Sequence, residues 1–529
     1  MRNFIVFVLL SVTTYNAYAQ KSDRPLSTDR LDDKEINFLY NILTGSQNPV
    51  SLSFNTVQTL TRATVNTHFT RGDLHALDES SRYNDFSFNI AGLKQIGRLS
   101  LSGDLTYVNS KAYDHRWNNT LMLTPTNPFI LADSVPGDAT EERFAMHAAA
   151  SLPLSETLTG ALKLQFATSN MSDQTDPRPK VNAMHFVVNP GIIFRTNKRH
   201  SVGIAGEIDI YRSDIIHTVV NNLEVNQYFL MKGMGDNLTF TTNSNIQYPR
   251  DYAGTRITGS AQWQTQAERF GNLLEASFST NSENAEDGGS AYTYKGGDYS
   301  AKRLALYERL SFNTANAFLH QFIVRAAWTG DQGYWYDQKR LVDTEHGNKI
   351  YYQILNKSKV HNATHTNAQL EYRIDRRQAI DQPMWAASVR GGIASQKITH
   401  YEAESYKQQY NMIDLAVMFT KYWRLKKCRL STLIGGFYVS RIGTPTYTPV
   451  RDKLVDSYSA PMFEYATASR TGLDIRMAAD MPLHIYGTPS WTTVYIQSRN
   501  IFYTGNNAVS KLYKGTSQTV IDAGISLTL

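Results

Sequence analysis

Hydrophobic and polar residues alternate along short segments over most of the chain. In the segment 98–110, Leu99, Leu101 and Leu105 fall on one side, whereas Ser100 and Asp104 fall on the other. A period of two is typical of a β-strand whose two faces meet different surroundings. The pattern predicts about 18 strands, near residues 60–71, 86–96, 98–109, 142–153, 157–168, 184–196, 200–212, 252–264, 270–280, 302–313, 318–330, 363–375, 384–394, 411–423, 428–440, 463–479, 490–503 and 518–529.

The connections between these strands alternate between short and long. Short connections lie near Gly97 and 197–199, and long ones near 110–141, 213–251 and 331–362. Bacterial outer-membrane barrels combine tight periplasmic turns, long outer loops and an even strand number. A soluble sandwich has no reason to keep this alternation. We therefore predict an all-β fold, a transmembrane antiparallel β-barrel of about 18 strands, with the leucines facing lipid and Asp104 facing the lumen.

The start of the chain departs from the strand pattern. Arg2, an apolar run over 4–12 and the small-residue site Ala17-Tyr18-Ala19 are typical of a secretory signal peptide, with cleavage expected after Ala19. An amphipathic helix is then predicted to begin at Asp32 or Asp33 and to end at Gly45. Because its charged face is incompatible with lipid, we expect it to plug the lumen or cap the mouth, the alternative being a free periplasmic arm.

These patterns predict three parts of the chain. They are a signal peptide over 1–19, an N-terminal periplasmic or plug segment over 20–59, and an outer-membrane β-barrel over 60–529. The single cysteine, Cys428, excludes an internal disulfide framework. After the signal peptide, no apolar run reaches the roughly 20 residues of a transmembrane helix. The expected location is therefore the bacterial outer membrane, with its lipid as a partner and outer-membrane proteins as further candidate partners.

Charge gives limited information about function. The net charge of +6 is small for this length and comes from interspersed Lys, Arg, Asp and Glu, which argues against a nucleic-acid partner. Both signs fall on predicted inner faces, which argues against a strongly anion- or cation-selective pore. The residues that we expect to line the lumen and tune selectivity are Lys163, Glu207, Asp209, Glu371, Arg373 and Arg390.

Candidate catalytic and metal-binding groups are few. His147 is isolated on a predicted inner face and is interpreted as a structural histidine. His361 and His365 have a spacing that suits metal chelation on a helix, but on a strand four residues span too far for easy chelation. We therefore predict no catalytic residue, no metal, no cofactor and no enzymatic activity.

Three motifs carry a family resemblance. They are RWNNT at 116–120, ADSVPGD at 132–138 and TDPRPKVN at 175–182. Together with the signal peptide and the strand pattern, they resemble an uncharacterised family of Bacteroidota outer-membrane β-barrels over the whole mature chain. This resemblance implies location and fold, and no activity. Asn48-Pro49-Val50 is also similar to the Asn-Pro-Ala turn of the long-chain fatty-acid transporter type of barrel, in which an N-terminal segment plugs the lumen.

The motif TDPRPKVN also has a physical interpretation of its own. Pro177 and Pro179 impose a stiff, extended backbone. Asp176, Arg178 and Lys180 are predicted either to clamp this loop against the barrel rim or to form a constriction in which Arg178 contacts a ligand.

The leading functional hypothesis is a channel or gated transporter for a small solute. In that case, charge changes at Glu371 or Arg373 alter ion selectivity. The alternative is a non-enzymatic scaffold barrel of a nutrient-uptake or secretion complex, which presents its outer loops to partners. In that case, shortening the loop 331–362 abolishes co-purification of a specific partner. Substrate and partner identity do not follow from the sequence.

Overall fold

The computed structural model describes residues 41–55, 59–221, 223–242, 246–288, 293–314, 317–345, 347–379, 382–402, 404–485, 488–505 and 512–529. The predicted signal peptide and the predicted start of the N-terminal helix lie outside these residues. Residues 42–45 form a turn in which Gly45 has φ of +96°, a conformation that glycine adopts readily.

The chain forms a closed antiparallel sheet of 18 strands, which confirms the predicted fold. Consecutive barrel strands pair along the chain, and pairing of the first strand with the last one closes the wall. The barrel strands are β1 (Thr59–Gly72), β2 (Arg82–Ile96), β3 (Leu99–His115), β5 (Gly137–Pro153), β6 (Leu158–Ser172), β7 (Arg178–Arg195), β8 (His200–Val219), β11 (Ile246–Gln266), β12 (Phe270–Asp287), β13 (Tyr294–Asn313), β14 (Phe318–Asp343), β15 (Lys349–Ala379), β16 (Gln382–Tyr401), β17 (Ser405–Arg424), β18 (Arg429–Thr448), β19 (Arg470–Ile485), β20 (Thr488–Tyr503) and β21 (Ser517–Thr528). Three short strands, β4 (Leu131–Ala132), β9 (Asn226–Gly233) and β10 (Asp236–Thr242), form a separate sheet.

Large apolar side chains cover the outside of this wall. Leu105 lies opposite Met146 on the neighbouring strand, and both side chains are exposed. On the other face, Asp104 accepts from His147 at 2.5 Å. An apolar outer face around a polar interior is the architecture of an outer-membrane β-barrel. No described helix is long and apolar enough to cross a membrane.

Residues 41–55, which we call the N-terminal plug, lie inside the barrel at the end with the short turns. Their 3₁₀ helix, Pro49–Phe54, packs against β3, β5, β6 and β7. Leu43 and Val50 are fully buried in a cluster with Ile193 and Leu273 of the wall. The plug therefore lies in the interior and packs against side chains of β6, β7, β12 and β13.

Three connections fold into the opposite, long-loop end. We call residues 116–136, 223–242 and 449–469 the inner lid. Phe129 and Leu131 of the first connection and Leu230 of the second are fully buried among inward-facing side chains of β5 to β15. In the third connection, the short helix Ala460–Ala466 places Phe463 against Tyr447 of β18. This apolar packing closes much of the long-loop end from within.

The structure corrects three details of the predicted strands. The strand expected at 463–479 begins at Arg470, because Phe463 belongs to the short helix of the inner lid. The predicted loop 331–362 is largely a hairpin, since β14 and β15 continue far beyond their neighbours. The predicted loop 213–251 contains β9 and β10. Phe229, Leu230 and Met231 of β9 are buried, whereas Leu238 and Phe240 of β10 are exposed.

Candidate functional site

All six predicted lumen residues occupy inward-facing positions of the wall. Lys163 lies between the exposed Leu162 and Leu164, and Asp209 lies between the exposed Ile208 and Ile210. Because strand residues alternate between faces, the charged members point into the barrel. The same alternation places the remaining four inside, which are Glu207, Glu371, Arg373 and Arg390.

Opposite charges pair across the inner surface of the wall. Glu371 lies 3.6 Å from Arg325, and Arg373 contacts Asp375 at 2.7 Å. Arg390 likewise lies 3.6 Å from Asp414. These pairs give the lumen a polar surface on which the two signs of charge balance. Their role in selectivity remains a proposal.

Asp209 lies in a cavity inside the wall. Its carboxylate contacts His185 at 2.5 Å and Arg256 at 3.5 Å. The cavity has a volume of about 400 Å³ and lies against the inner lid. It is lined by Leu121, Met122, Leu123, Glu141, Arg143, His185, Asp209, Tyr211 and Arg256. Such a space, with apolar and charged groups facing each other, is suited to a small ligand.

The N-terminal plug is attached to the wall by partly buried hydrogen bonds. The Asn48 amide donates to the carbonyls of Ile192 and Ile204, each at 3.2 Å, and its oxygen accepts from Val50 N at 3.0 Å. Glu275 accepts from Ser46 Oγ at 2.5 Å and from Gln47 N at 3.0 Å. Glu275 and Asn48 therefore satisfy buried polar groups of both plug and wall, a role that the sequence did not reveal.

The inner lid has its own anchors on the wall. Glu283 of β12 accepts from Thr124 N at 3.0 Å, from Asn127 Nδ2 at 2.6 Å and from the Tyr211 hydroxyl. Tyr252 donates to Phe129 O at 2.9 Å and accepts from Leu131 N at 2.9 Å.

A further anchor joins the lid to β16. Asp236 contacts His400 Nε2 at 3.0 Å, Lys453 Nζ at 3.0 Å and Lys232 Nζ at 2.7 Å. Burial acts to raise the pKa of Asp236, but the hydrogen bond from His400 and the Lys232 ammonium outweigh it, so the pKa is lowered. The lid is therefore fixed to the wall by polar contacts as well as by packing.

Two of the three sequence motifs meet in the inner lid. Trp117 N donates to Asp133 O at 2.7 Å, and Asn119 Nδ2 donates to the Asp133 carboxylate at 2.7 Å. Burial raises the pKa of Asp133 to about 7, although the hydrogen bonds from Asn119 and Val135 N act to lower it. Asp133 thus changes charge within the physiological range.

We expect the inner lid to open more readily as pH rises from about 4 to about 7. The folded-state pKa of Asp133 lies above its ordinary value of 3.8, so the ionised carboxylate is disfavoured in the folded state. The destabilisation of the closed lid by the ionised Asp133 carboxylate is therefore absent at low pH. It grows as pH rises from about 4 to about 7 and is constant at higher pH. The measurement is amide hydrogen exchange of residues 116–136, corrected for intrinsic rates, at pH 5 and pH 8.

Two variants isolate the contribution of Asp133. Asp133→Asn should abolish most of the difference between the two pH values. Asp138→Asn should preserve it, since Asp138 is an exposed carboxylate that pairs with Lys111 at 3.1 Å. Equal protection of the native lid at pH 5 and pH 8 would contradict the expectation.

The third motif lies at the rim of the long-loop end. Asp176 accepts from Arg178 Nε at 2.7 Å and from Val220 N at 3.0 Å, and so fastens the start of the connection that leads to β9. Burial acts to raise the pKa of Asp176, but hydrogen bonds from Asn221 N and Val220 N outweigh it and lower the pKa. These contacts favour the loop clamp.

The constriction interpretation of this motif does not fit the geometry. Arg178 and Lys180 share the face of β7 on which Met184 and Phe186 are exposed on the outside of the barrel. They therefore do not line the lumen, because the strand alternation directs them outward.

Histidines of the wall are engaged with carboxylates. His361 Nε2 and His365 Nε2 lie 3.7 Å and 3.4 Å from the two oxygens of Asp331. Both residues are in β15, where the fourth-neighbour spacing returns a side chain to the same face. Within the described part of the chain, no group of three or more His, Cys, Asp or Glu side chains is arranged to hold a metal ion.

Comparisons with known proteins give a family and several barrels of low similarity. No curated protein matches the sequence. The chain is similar to the structure of a Pseudomonas aeruginosa FadL homologue, with 12% identity, TM-score 0.34 and coverage of 96% of this chain and 99% of that one. It is also similar to the outer membrane transporter YddB from Escherichia coli, with 8% identity, TM-score 0.39 and coverage of 88% and 81%.

A further similar structure is the RagAB peptide transporter, with 7% identity, TM-score 0.42 and coverage of 89% of this chain and 86% of that chain. A family model matches residues 49–529, which include the 3₁₀ helix of the plug, the wall and the inner lid. The chain therefore belongs to the family of unknown function DUF6850.

Proposed function

We propose that the protein is a gated channel for a small polar solute in the bacterial outer membrane. The observation that carries the proposal is a charged cavity inside the wall, with the N-terminal plug toward one end and the inner lid toward the other. The apolar outer face supports the location. The proposed activity has no enzymatic step, and an origin in Bacteroidota stays a prediction.

The attachment of the plug supports gating. Much of its contact with the wall consists of separate hydrogen bonds, such as those of Asn48 and Glu275. A hydrogen bond in a protein contributes about 1 kcal/mol net, since water replaces it when the contact opens. Displacement of the plug is therefore much less costly than opening of the wall, in which every strand is paired on both sides.

The charge pattern supports a polar solute with little net charge. Ion pairs such as Arg373–Asp375 and Arg390–Asp414 neutralise the inner surface locally. A ring of a single sign, by contrast, would favour one sign of ion.

The second candidate is a scaffold for partner proteins, and the β14–β15 hairpin is the observation that favours it. Beyond the last β13 pairing at Tyr334, these two strands pair only with each other among the residues that the structure describes. Tyr351, Ile354 and Leu355 are exposed on this projection. Loss of a co-purifying outer-membrane protein on removal of residues 339–353, with the barrel still folded, would support the scaffold.

Opening both ends should be required for steady conductance, because two barriers in series each limit the flow. A Cβ atom on Gly191 would lie 2.2 Å from Asn48 Oδ1 and 2.8 Å from Pro49 Cδ, so Gly191→Leu should displace the plug. Phe129→Ala removes a fully buried side chain and should loosen the lid. In planar bilayers we expect the double variant to conduct at least about tenfold more than either single variant.

Gly206→Leu is the matched control for the plug, since a Cβ atom there has no described neighbour within 4 Å. Combined with Phe129→Ala, it should leave the conductance of the Phe129→Ala protein unchanged. Heat-modified gel mobility establishes that each barrel is folded. A double variant that folds but does not conduct would contradict the proposed channel function and favour the scaffold function.

A further inference from the structure

Two opposite charges in the cavity lack partners of opposite charge among the described residues. Arg143 and Glu141 occupy alternate residues of β5, so both side chains face inward. In the described part of the chain, no acidic group lies within 4.0 Å of the Arg143 guanidinium, whose side chain is exposed to the cavity. Glu141 accepts from Ser169 through one oxygen, and no described cation lies within 4.0 Å of it.

The other charged groups of the cavity are already engaged. Asp209 is held by His185 at 2.5 Å and faces Arg256 at 3.5 Å. Because these groups neutralise each other, Arg143 and Glu141 are the charged groups of the cavity that are available to bind a ligand. A guanidinium recognises a carboxylate through two parallel hydrogen bonds, and a carboxylate is the natural acceptor for an ammonium.

The remaining lining of the cavity consists of Tyr211 and of three consecutive apolar residues of the inner lid. These three residues are Leu121, Met122 and Leu123. The next residue, Thr124, is held by Glu283, which also accepts from Tyr211 of the cavity wall. An occupant beneath these three residues therefore contacts the part of the lid that is fixed to the wall.

We propose that the cavity binds a zwitterionic solute with an apolar side chain, of the class of free amino acids. Arg143 binds the carboxylate, Glu141 binds the ammonium, and the segment Leu121–Leu123 covers the side chain. The volume of about 400 Å³ is at the small end of ligand sites, as a single amino acid requires. This assignment rests on the proposed function, because it names the solute class of the same channel.

Calorimetric titration of the purified full-length protein with four probes tests the two charges separately. The probes are L-leucine, 4-methylpentanoate, which lacks the ammonium, 3-methylbutylamine, which lacks the carboxylate, and N-acetyl-leucinamide, which lacks both charges. We expect leucine to bind at least about tenfold more tightly than each of the others. Equal binding of leucine and 4-methylpentanoate would overturn the proposal, and so would an absence of leucine binding in both the native and the Gly191→Leu proteins.

Substitutions assign the charges to residues. Arg143→Gln should weaken leucine binding at least about tenfold, whereas Glu141→Gln should abolish the preference for leucine over 4-methylpentanoate. Arg476→Gln is the matched control, since Arg476 is an exposed arginine of β19 whose guanidinium lies 5.0 Å from the Tyr495 ring, outside the cavity lining. It should leave the affinity unchanged. An equal loss in the Arg476 variant would overturn the assignment.

The two proposals fail in different measurements. If the folded double variant Gly191→Leu/Phe129→Ala binds leucine but does not conduct, the channel proposal is wrong and the amino-acid site is supported. If it conducts but leucine does not bind, the channel is supported and the proposed solute class is wrong.

Discussion

A disulfide between residues 53 and 151 will stop solute passage under oxidising conditions and restore it on reduction. The hydroxyl oxygens of Ser53 in the plug and Ser151 in β5 are 2.6 Å apart, so two cysteines at these positions are close enough to bond. Cys428, the single native cysteine, is replaced by serine to leave one disulfide. A covalent link holds the plug against the wall, whereas a hydrogen bond between two hydroxyls is readily exchanged for water.

The expected loss is about tenfold or more in solute uptake by proteoliposomes, as for a gate that is held shut. Ser53→Cys alone and Ser151→Cys alone, each in the Cys428→Ser background, should be insensitive to oxidation. Unchanged uptake by the fully oxidised double variant would show that the plug does not move during passage.

Arg250→Met will lower the free energy of unfolding by about 3–5 kcal/mol, because it leaves a buried carboxylate at the long-loop end without its partner. Arg250 is fully buried and binds Asp287 through two hydrogen bonds of 2.5 Å and 2.7 Å. Its third contact, at 3.5 Å, is with the carbonyl of Phe129, so the pair also supports the inner lid.

The urea dependence of folding in detergent micelles measures this effect. Arg212→Met is the matched control, since Arg212 is an exposed arginine that pairs with Asp214 at 2.9 Å, and such surface pairs contribute about 0–1 kcal/mol. The double variant Arg250→Met/Asp287→Leu should recover most of the loss, because no unpaired charge remains. If the double variant loses as much free energy of unfolding as Arg250→Met alone, the destabilisation comes from lost packing and not from the unpaired Asp287 carboxylate.

The wall was predictable because lipid imposes a strict pattern on its strands. The alternation around Asp104 and Leu105 identified the inward and outward faces correctly. The same alternation placed Lys163 and Glu371 on the inner face, although it gives no information about their roles. Fold class and side-chain direction therefore follow from the sequence wherever one face of a strand contacts lipid.

The N-terminal plug and the inner lid, which lie inside the barrel, were not predictable from strand alternation. Phe129 and Leu230 are buried by segments distant in the sequence, and an apolar loop residue does not indicate which surface will cover it. Glu283 lies beyond the predicted end of its strand at residue 280, so its contacts with the lid were missed. The 3₁₀ helix of the plug is only six residues long and shows no helical periodicity.

The pairing of β1 with β21 has a consequence for biogenesis. The plug precedes β1, whereas β21 follows the other barrel strands in the sequence, so this seam joins the barrel strand that is made first to the one that is made last. The plug and the inner lid are bulky, and both lie inside the completed wall. Formation of the seam is therefore the step that encloses them, and a chain arrested before β21 is expected to be an open sheet with its future interior exposed.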